Sequence, residues 1–253
     1  MLLGIMGAMP EEIDLLVRHC RVNQHTKLGI DTYHAGELKG AQVIIAFSGW
    51  GKVAAAATAA TLINQFKVDT IVFTGVAGAA QSHLNIGDIV IGSGFAQHDM
   101  DASPLYAKYE IPLLKKAELP VDLSLQQQLQ QAANSFVNSQ LTDYIDQQLL
   151  QTFEINQPAV YSGKIASGDQ FISDPDKLTR LRQDIPGLFC VDMESAAVAQ
   201  VCYTHQKPFA AVRTISDKAD HSAAIDFGKF IKHIANQYCY GILQSWLANV
   251  NNQ

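Results

Sequence analysis

Residues 68–80 read VDTIVFTGVAGAA. The first seven are apolar and β-branched almost throughout, the pattern of a strand buried on both faces rather than one with a solvated side. They run into Gly75-Val76-Ala77-Gly78-Ala79-Ala80, a glycine-rich exit that lets backbone approach a small ligand closely. The exit lacks the spacing of GxGxxG and of GxxxxGK[ST], so it does not support a nucleotide-diphosphate site. A parallel strand covered on both faces needs helical crossovers on either side of it.

The flanks supply them. Upstream, residues 42–47 form a strand with the core run Val43-Ile44-Ile45-Ala46, and residues 53–66, VAAAATAATLINQF, form an alanine-rich helix. Its small side chains imply close contact with the sheet or with another subunit. Between the two lies Ser48-Gly49-Trp50-Gly51-Lys52, a tight connection that carries Trp50 either over a pocket or into the loop's own core. Residues 32–38 are a further strand, and residues 2–6 open the chain as a short buried one. After it, Pro10 suits the first position of a helix and Glu11 and Glu12 its first turn. Capping accounts for glutamates there. Their place just beyond a strand's C-terminal end also fits a ligand site of an open α/β sheet.

Downstream, residues 89–92 are a strand, followed by Gln97-His98-Asp99-Met100-Asp101. His98, Asp99 and Asp101 have metal-like chemistry but no suitably spaced His or Cys partners, so a polar loop at a pocket rim or an interface is the better reading and no metal is expected. Residues 104–120 are loop, 123–139 a helix, and 138–158 a Gln- and Asn-rich surface excursion. A strand at 159–166 leads into Ser167-Gly168-Asp169-Gln170-Phe171-Ile172, whose apolar pair either packs under the loop or faces a ring-shaped ligand. Asp174-Pro175 caps a helix that stops at Pro186-Gly187. Residues 189–200, FCVDMESAAVAQ, place Asp192 and Glu194 at a strand-to-helix junction, where they serve as helix caps or as a polar cluster at a pocket mouth. A strand at 209–212 runs into Arg213-Thr214-Ile215-Ser216-Asp217, and a long helix from Phe227 to residue 250 ends the pattern. Alternating strands and helices without an internal repeat or linker give an α/β chain of one domain, 1–253.

Composition narrows the function. With 48% apolar and 17% charged residues, 253 residues can bury a substantial core. A net charge of −6 and the absence of a basic stripe argue against nucleic acid or an anionic membrane as the partner. No apolar run reaches membrane-spanning length. The start, MLLGIMGAMPEE, is a poor signal peptide, and the scattered cysteines Cys20, Cys190, Cys202 and Cys239 read as reduced and buried, so a cytoplasmic protein is expected.

Taken in order, Gly7-Ala8-Met9 with Glu11-Glu12, Ser48-Gly49-Trp50-Gly51-Lys52, Thr74-Gly75-Val76-Ala77-Gly78, Ser167-Gly168-Asp169-Gln170-Phe171-Ile172, Met193-Glu194 and Arg213-Thr214-Ile215-Ser216-Asp217 resemble the nucleoside phosphorylase family, specifically its hydrolytic branch, the 5′-methylthioadenosine/S-adenosylhomocysteine nucleosidases. The match extends through nearly the whole chain. The resemblance implies a three-layer α/β/α sandwich with a central mixed, partly barrel-like sheet, no cofactor and no metal, and a homodimer whose segment 98–112 reaches the neighbouring subunit's site. It implies cleavage by water of the bond between adenine N9 and ribose C1′. Asp217 then resembles the acid that protonates N7, Glu12 the base that positions water, and Glu194 the acceptor for the ribose hydroxyls. Met9 and Met193 line the ribose side, Arg213 orients the carboxylates, Phe171 stacks on the base, the Ile172 backbone reads its edge, and Ser216 supports Asp217. Trp50, Val76 and Phe227 complete the substrate-binding set.

The chain departs from the family's pattern in four places. Val76 stands where a serine is usual, Trp50 where a smaller aliphatic residue is, and Asp192 where a glutamate is; residues 138–158 are longer than is typical. A valine cannot hydrogen-bond an anion, which favours water over phosphate. The alternatives are a futalosine-type nucleosidase of shifted specificity, a phosphate-dependent purine nucleoside phosphorylase, and a non-catalytic nucleoside-binding protein.

Overall fold

The structure, a computed structural model, describes residues 1–250. Ten strands, β1 (Leu2–Gly7), β2 (Arg21–Leu28), β3 (Asp31–Leu38), β4 (Ala41–Phe47), β5 (Thr70–Ala79), β6 (Ile89–Gln97), β7 (Leu119–Pro120), β8 (Val160–Ser167), β9 (Leu188–Asp192) and β10 (Phe209–Asp217), form one mixed sheet. Its order is β10-β6-β8-β9-β5-β1-β4-β3-β2, and β10 pairs back onto β5. Strands β5, β10, β6, β8 and β9 therefore close into a five-stranded barrel, and β1, β4, β3 and β2 continue from it as an open wing. The fold is a single domain.

The helices are α1 (Pro10–His19), α2 (Lys52–Asn64), α3 (Leu123–Ser135), α4 (Leu141–Tyr144), α5 (Gln147–Thr152), α6 (Pro175–Asp184), α7 (Ser195–Thr204), α8 (Ala223–His233) and α9 (Ala235–Val250). Alternation along the central strands sends side chains into two cores. Leu3, Ile5, Val43, Ile45 and Val72 meet α1, α3, α8 and α9 on one face. Met6, Ile44, Ala46, Ile71 and Phe73 meet α2 and α7 on the other. The alanine-rich α2 packs against the equally small-residued α7, where side chains of this size let two helices approach closely. Residues 138–158 fold as a π-helical end to α3, then α4 and α5, with Leu141, Ile145, Leu150 and Ile155 buried in the first core.

Three sequence readings are corrected, and one strand, β2, is added. The glycine-rich stretch 75–79 is strand, not exit: it continues β5, paired with β10 through Arg213↔Gly75 and Ile215↔Ala77 and with β9 through Gly78↔Val191. Small residues suit a strand that bends to close a barrel. β10 likewise runs on through Asp217. β2 has no apolar alternation because most of its side chains are solvent-exposed; it forms by pairing with β3 at the edge of the wing. The C-terminal helix is two helices, broken at Ile234, where ψ is helical but φ is −124°. The break lets α8 lie on β10 while α9 turns onto α1 and α3.

Candidate active site

The C-terminal ends of β1, β5, β9 and β10 meet around a pocket lined by Met9, Glu12, Trp50, Val76, Phe171, Met193, Glu194, Ser216, Asp217 and Phe227, together with Ala77, Gly78 and Asp192. An adjoining recess, shared with Phe171, Met193 and Asp217, adds Ile172 and Val191. Of the residues picked out from sequence, only Arg213 lines neither: at 1% exposure it stands behind the carboxylates rather than against a ligand.

Glu12 sits on the third residue of α1. Its Oε2 accepts from the backbone N–H groups of Ala8 (2.6 Å) and Met9 (3.0 Å), which caps the helix, while Oε1 accepts from the Val76 amide of β5 (3.1 Å). Glu12 thus caps its helix and also lines the pocket. Burial pushes the carboxyl up from its ordinary value, against the Arg213 cation and the three amides.

Glu194 precedes α7, and its Oε1 accepts from the Gly51 amide (2.9 Å). Burial, then repulsion from Asp192, pushes its pKa up to about 8 despite Arg213. Asp217 ends β10. Its Oδ2 accepts from the Ser216 hydroxyl (2.8 Å) and its Oδ1 from the Ala219 amide (2.9 Å); burial nevertheless raises it to about 6.

Asp192, read from sequence as a local anchor, is the hub behind these groups. Its carboxylate accepts from the Ser167 and Ser195 hydroxyls and the Glu194 and Ser195 amides, and takes the Arg213 Nε at 2.7 Å. It therefore holds the start of α7, the end of β8 and the only buried arginine among the described residues. Burial works against the Arg213 cation, and the charges of Asp192, Glu12 and Glu194 outweigh it. Its guanidinium lies 4.1 Å from the centre of the Phe73 ring, a cation–π contact. Removing one partner of such a buried pair leaves an uncompensated charge, costing about 3–5 kcal/mol.

Aromatic rings rim the mouth. Phe227 stands edge-to-face with Trp50 (5.9 Å) and with Phe171 (5.7 Å), and Trp50 and Phe171 are 56% and 42% exposed. Trp50 is thus over the pocket, not in a loop core. Phe171 faces the pocket while Ile172 is buried. Sequence reasoning missed Gly51, whose amide holds Glu194; two glycines bracketing a tryptophan were the available signal. His98 is buried and neither ring nitrogen is hydrogen-bonded; Asp99 is bonded to Lys52 and Asp101 to Ser103. Among the described residues no group of three His, Cys, Asp or Glu side chains is arranged to hold a metal ion, and no helix is long and apolar enough to cross a membrane.

Fold and site together define a member of the phosphorylase superfamily, whose family model matches residues 2–244. The 5′-methylthioadenosine/S-adenosylhomocysteine nucleosidase of Actinobacillus succinogenes is 34% identical over 244 residues, spanning 96% of this chain and 97% of that protein. The nucleosidase of the same name from Neisseria meningitidis, solved with methylthio-immucillin-A, superposes with a TM-score of 0.86 at 31% identity, covering 98% of this chain and 99% of that one. The futalosine hydrolase of Helicobacter pylori superposes at 0.83 with 29% identity, covering 100% and 98%. The chain belongs to the 5′-methylthioadenosine/S-adenosylhomocysteine nucleosidase family.

Proposed function

We propose that the chain hydrolyses the N-glycosidic bond of 5′-methylthioadenosine and S-adenosylhomocysteine, releasing adenine. The observation that carries this reading is the convergence of Glu12, Glu194 and Asp217, from three distant parts of the chain, on one pocket. Asp217 donates a proton to N7 as the C1′–N9 bond breaks, so that the bond's electrons leave with a neutral base. The cationic ribosyl centre that develops is attacked by water, whose proton passes to Glu12. Glu194 accepts from the ribose hydroxyls, and its negative charge stabilises the cation. Buried carboxylates near Arg213 suit both tasks: Arg213 favours their charged forms while burial makes them better proton acceptors. Phe171 stacks on the base, the Ile172 backbone reads its edge, and Met9, Met193, Trp50 and Phe227 pack against the sugar and its 5′ substituent. Water rather than phosphate is the nucleophile: Val76 presents an isopropyl group to the pocket, and Arg213 stands behind the pocket wall.

The protein acts as a cytoplasmic homodimer in which segment 98–112 meets the partner's pocket. Support comes from four unpaired buried cysteines and from Leu105, which is 84% exposed on that segment. Light scattering of the purified protein reads the oligomeric state. The function is tested by incubating it with methylthioadenosine, S-adenosylhomocysteine, inosine and futalosine, each with and without phosphate, and measuring free base. Adenine release independent of phosphate is expected. Phosphate-dependent formation of a ribose 1-phosphate overturns hydrolysis, and tight binding without turnover overturns catalysis.

A further inference from the structure

Two motifs around the pocket carry polar side chains that the proposed reaction does not use: Lys52, next to Gly51, and Asp169, two residues before Phe171. They meet. The Lys52 backbone N–H donates to Asp169 Oδ1 at 2.7 Å. The Asp169 N–H donates in turn to Asp99 Oδ2 at 2.9 Å. The ring closes through Lys52 Nζ, which donates to Asp99 Oδ1 at 2.6 Å and to Gln97 Oε1 at 3.0 Å. Gln97 is tied by its own amide to Gln200 of α7. Three segments that are far apart in sequence, at residues 51–52, 97–99 and 169, are thus fastened into one unit. The Lys52 and Asp99 side chains are only 18% and 19% exposed, so solvent screens the pair less than a surface ion pair. Burial pushes the Asp99 carboxyl up, and the Lys52 ammonium and Asp169 amide outweigh it, leaving it below its usual value.

The ring's position gives it a consequence for the site. The residue before Lys52 donates the amide that holds Glu194. Gly51 has φ +92°, and a Cβ there would stand 2.9 Å from Asp169 Oδ1, so the glycine is needed both for its left-handed backbone and for the carboxylate to close over it. On the far side, Asp169 leads directly into the Phe171 and Ile172 walls.

We propose that Lys52, Asp99 and Asp169 are positioning residues forming an ionic latch, which sets the Gly51 amide against Glu194 and the Phe171 loop against the pocket. The latch rests on the hydrolase reading for its effect on rate, but not for its effect on Glu194 itself. Glu194 also faces Asp192, Arg213 and Glu12, none of which the latch touches.

The test compares the full-length wild type with Lys52→Met, Asp99→Asn and the charge-conserving Lys52→Arg. Without the latch the Gly51 hydrogen bond weakens, and Glu194 loses a contact that favours its charged form. A ¹³C NMR titration of the Glu194 carboxyl in the unliganded protein is therefore expected to move to higher pH in Lys52→Met and Asp99→Asn, and back in Lys52→Arg. The inflection of kcat/KM assigned to Glu194 moves with it, and kcat/KM falls about tenfold to a hundredfold, the scale of a sub-ångström to ångström misplacement. Folded variants with unchanged Glu194 titration overturn the latch, whatever their melting temperature. Wild-type protein that releases no base overturns the hydrolase reading instead, and leaves the NMR comparison to decide the latch. Should Lys52→Met not fold, Asp99→Asn, which keeps the size and one acceptor, carries the same comparison.

Discussion

The Glu12 carboxylate occupies the space that a side chain at Gly75 would take: a Cβ there would stand 2.5 Å from Glu12 Oε1 and 2.7 Å from Arg213 Nη1. The φ of Gly75, +159°, lies where L side chains are rarely found, so the glycine is required both by its backbone and by the proximity of the carboxylate. Gly75→Ala is expected to fold and to displace the Glu12 carboxylate. Its kcat should fall about a hundredfold, with KM changed far less, as steady-state kinetics and a melting curve will show. A variant with wild-type kcat removes Glu12 from the role of base.

The proposed reaction gives proton transfer to Glu12 and Asp217. Glu12→Gln and Asp217→Asn should each lower kcat by about 10²–10⁴-fold while the circular dichroism spectrum stays native. Full activity in either variant reassigns that proton.

The pH profile follows from the raised carboxyls of Asp217 and Glu194. The proposed reaction needs Asp217 protonated and both Glu12 and Glu194 ionised, yet burial raises all three carboxyls, Asp217 to about 6 and Glu194 to about 8. Near pH 7 the form the reaction needs is therefore the minority form of both Asp217 and Glu194. The profile of kcat/KM should be a bell with inflections near 6 and 8, and Asp217→Asn should abolish the lower one. A lower inflection that survives this substitution belongs to another group.

Stability should run the opposite way from that of a salt-bridged acid. A carboxyl raised on folding is stabilised by its proton, so its contribution is full below its unfolded value and is lost as pH rises through its folded one. For Glu194 that window runs from 4.5 to about 8. Glu194→Gln keeps the acceptor for the Gly51 amide and removes the charge. It should melt higher than wild type at pH 8, with the advantage shrinking by pH 5; calorimetry at both pH values is the measurement.

Trp50 touches the site only through its ring. Trp50→Ala removes one edge-to-face pair from the rim, worth about 0.5–1.5 kcal/mol, so KM should rise roughly twofold to tenfold with kcat nearly unchanged. The other tryptophan, Trp246, is fully buried and hydrogen-bonded to Gln128, so substrate-dependent quenching in wild type should vanish in this variant. Quenching that persists assigns the signal to Trp246.

The alternation of strands and helices, the helix start at Pro10 and the acids at strand ends were legible because each rests on a local rule: periodicity, ring geometry or capping. Glycine-rich β5, polar β2 and the break at Ile234 were not, because each is decided by a neighbour: barrel closure, the β3 edge and the separate beds of α8 and α9. The site divides similarly. Glu12 and Asp217 stood out as acids beside turns, whereas the hub role of Asp192 needs Ser167 and Arg213, 25 and 21 residues away. The position of Arg213 behind the pocket wall, from which it orients the carboxylates, has no trace in one dimension.

Strand β10 has β5 on one edge and β6 on the other. Arg213 and Asp217 are both borne on it, so neither can advance along the strand axis without tearing two ladders at once. The spacing between Arg213 and Asp217 is consequently a fixed gauge, machined into the barrel wall. What can vary around so rigid a wall is the mouth, where Trp50 and Phe171 stand.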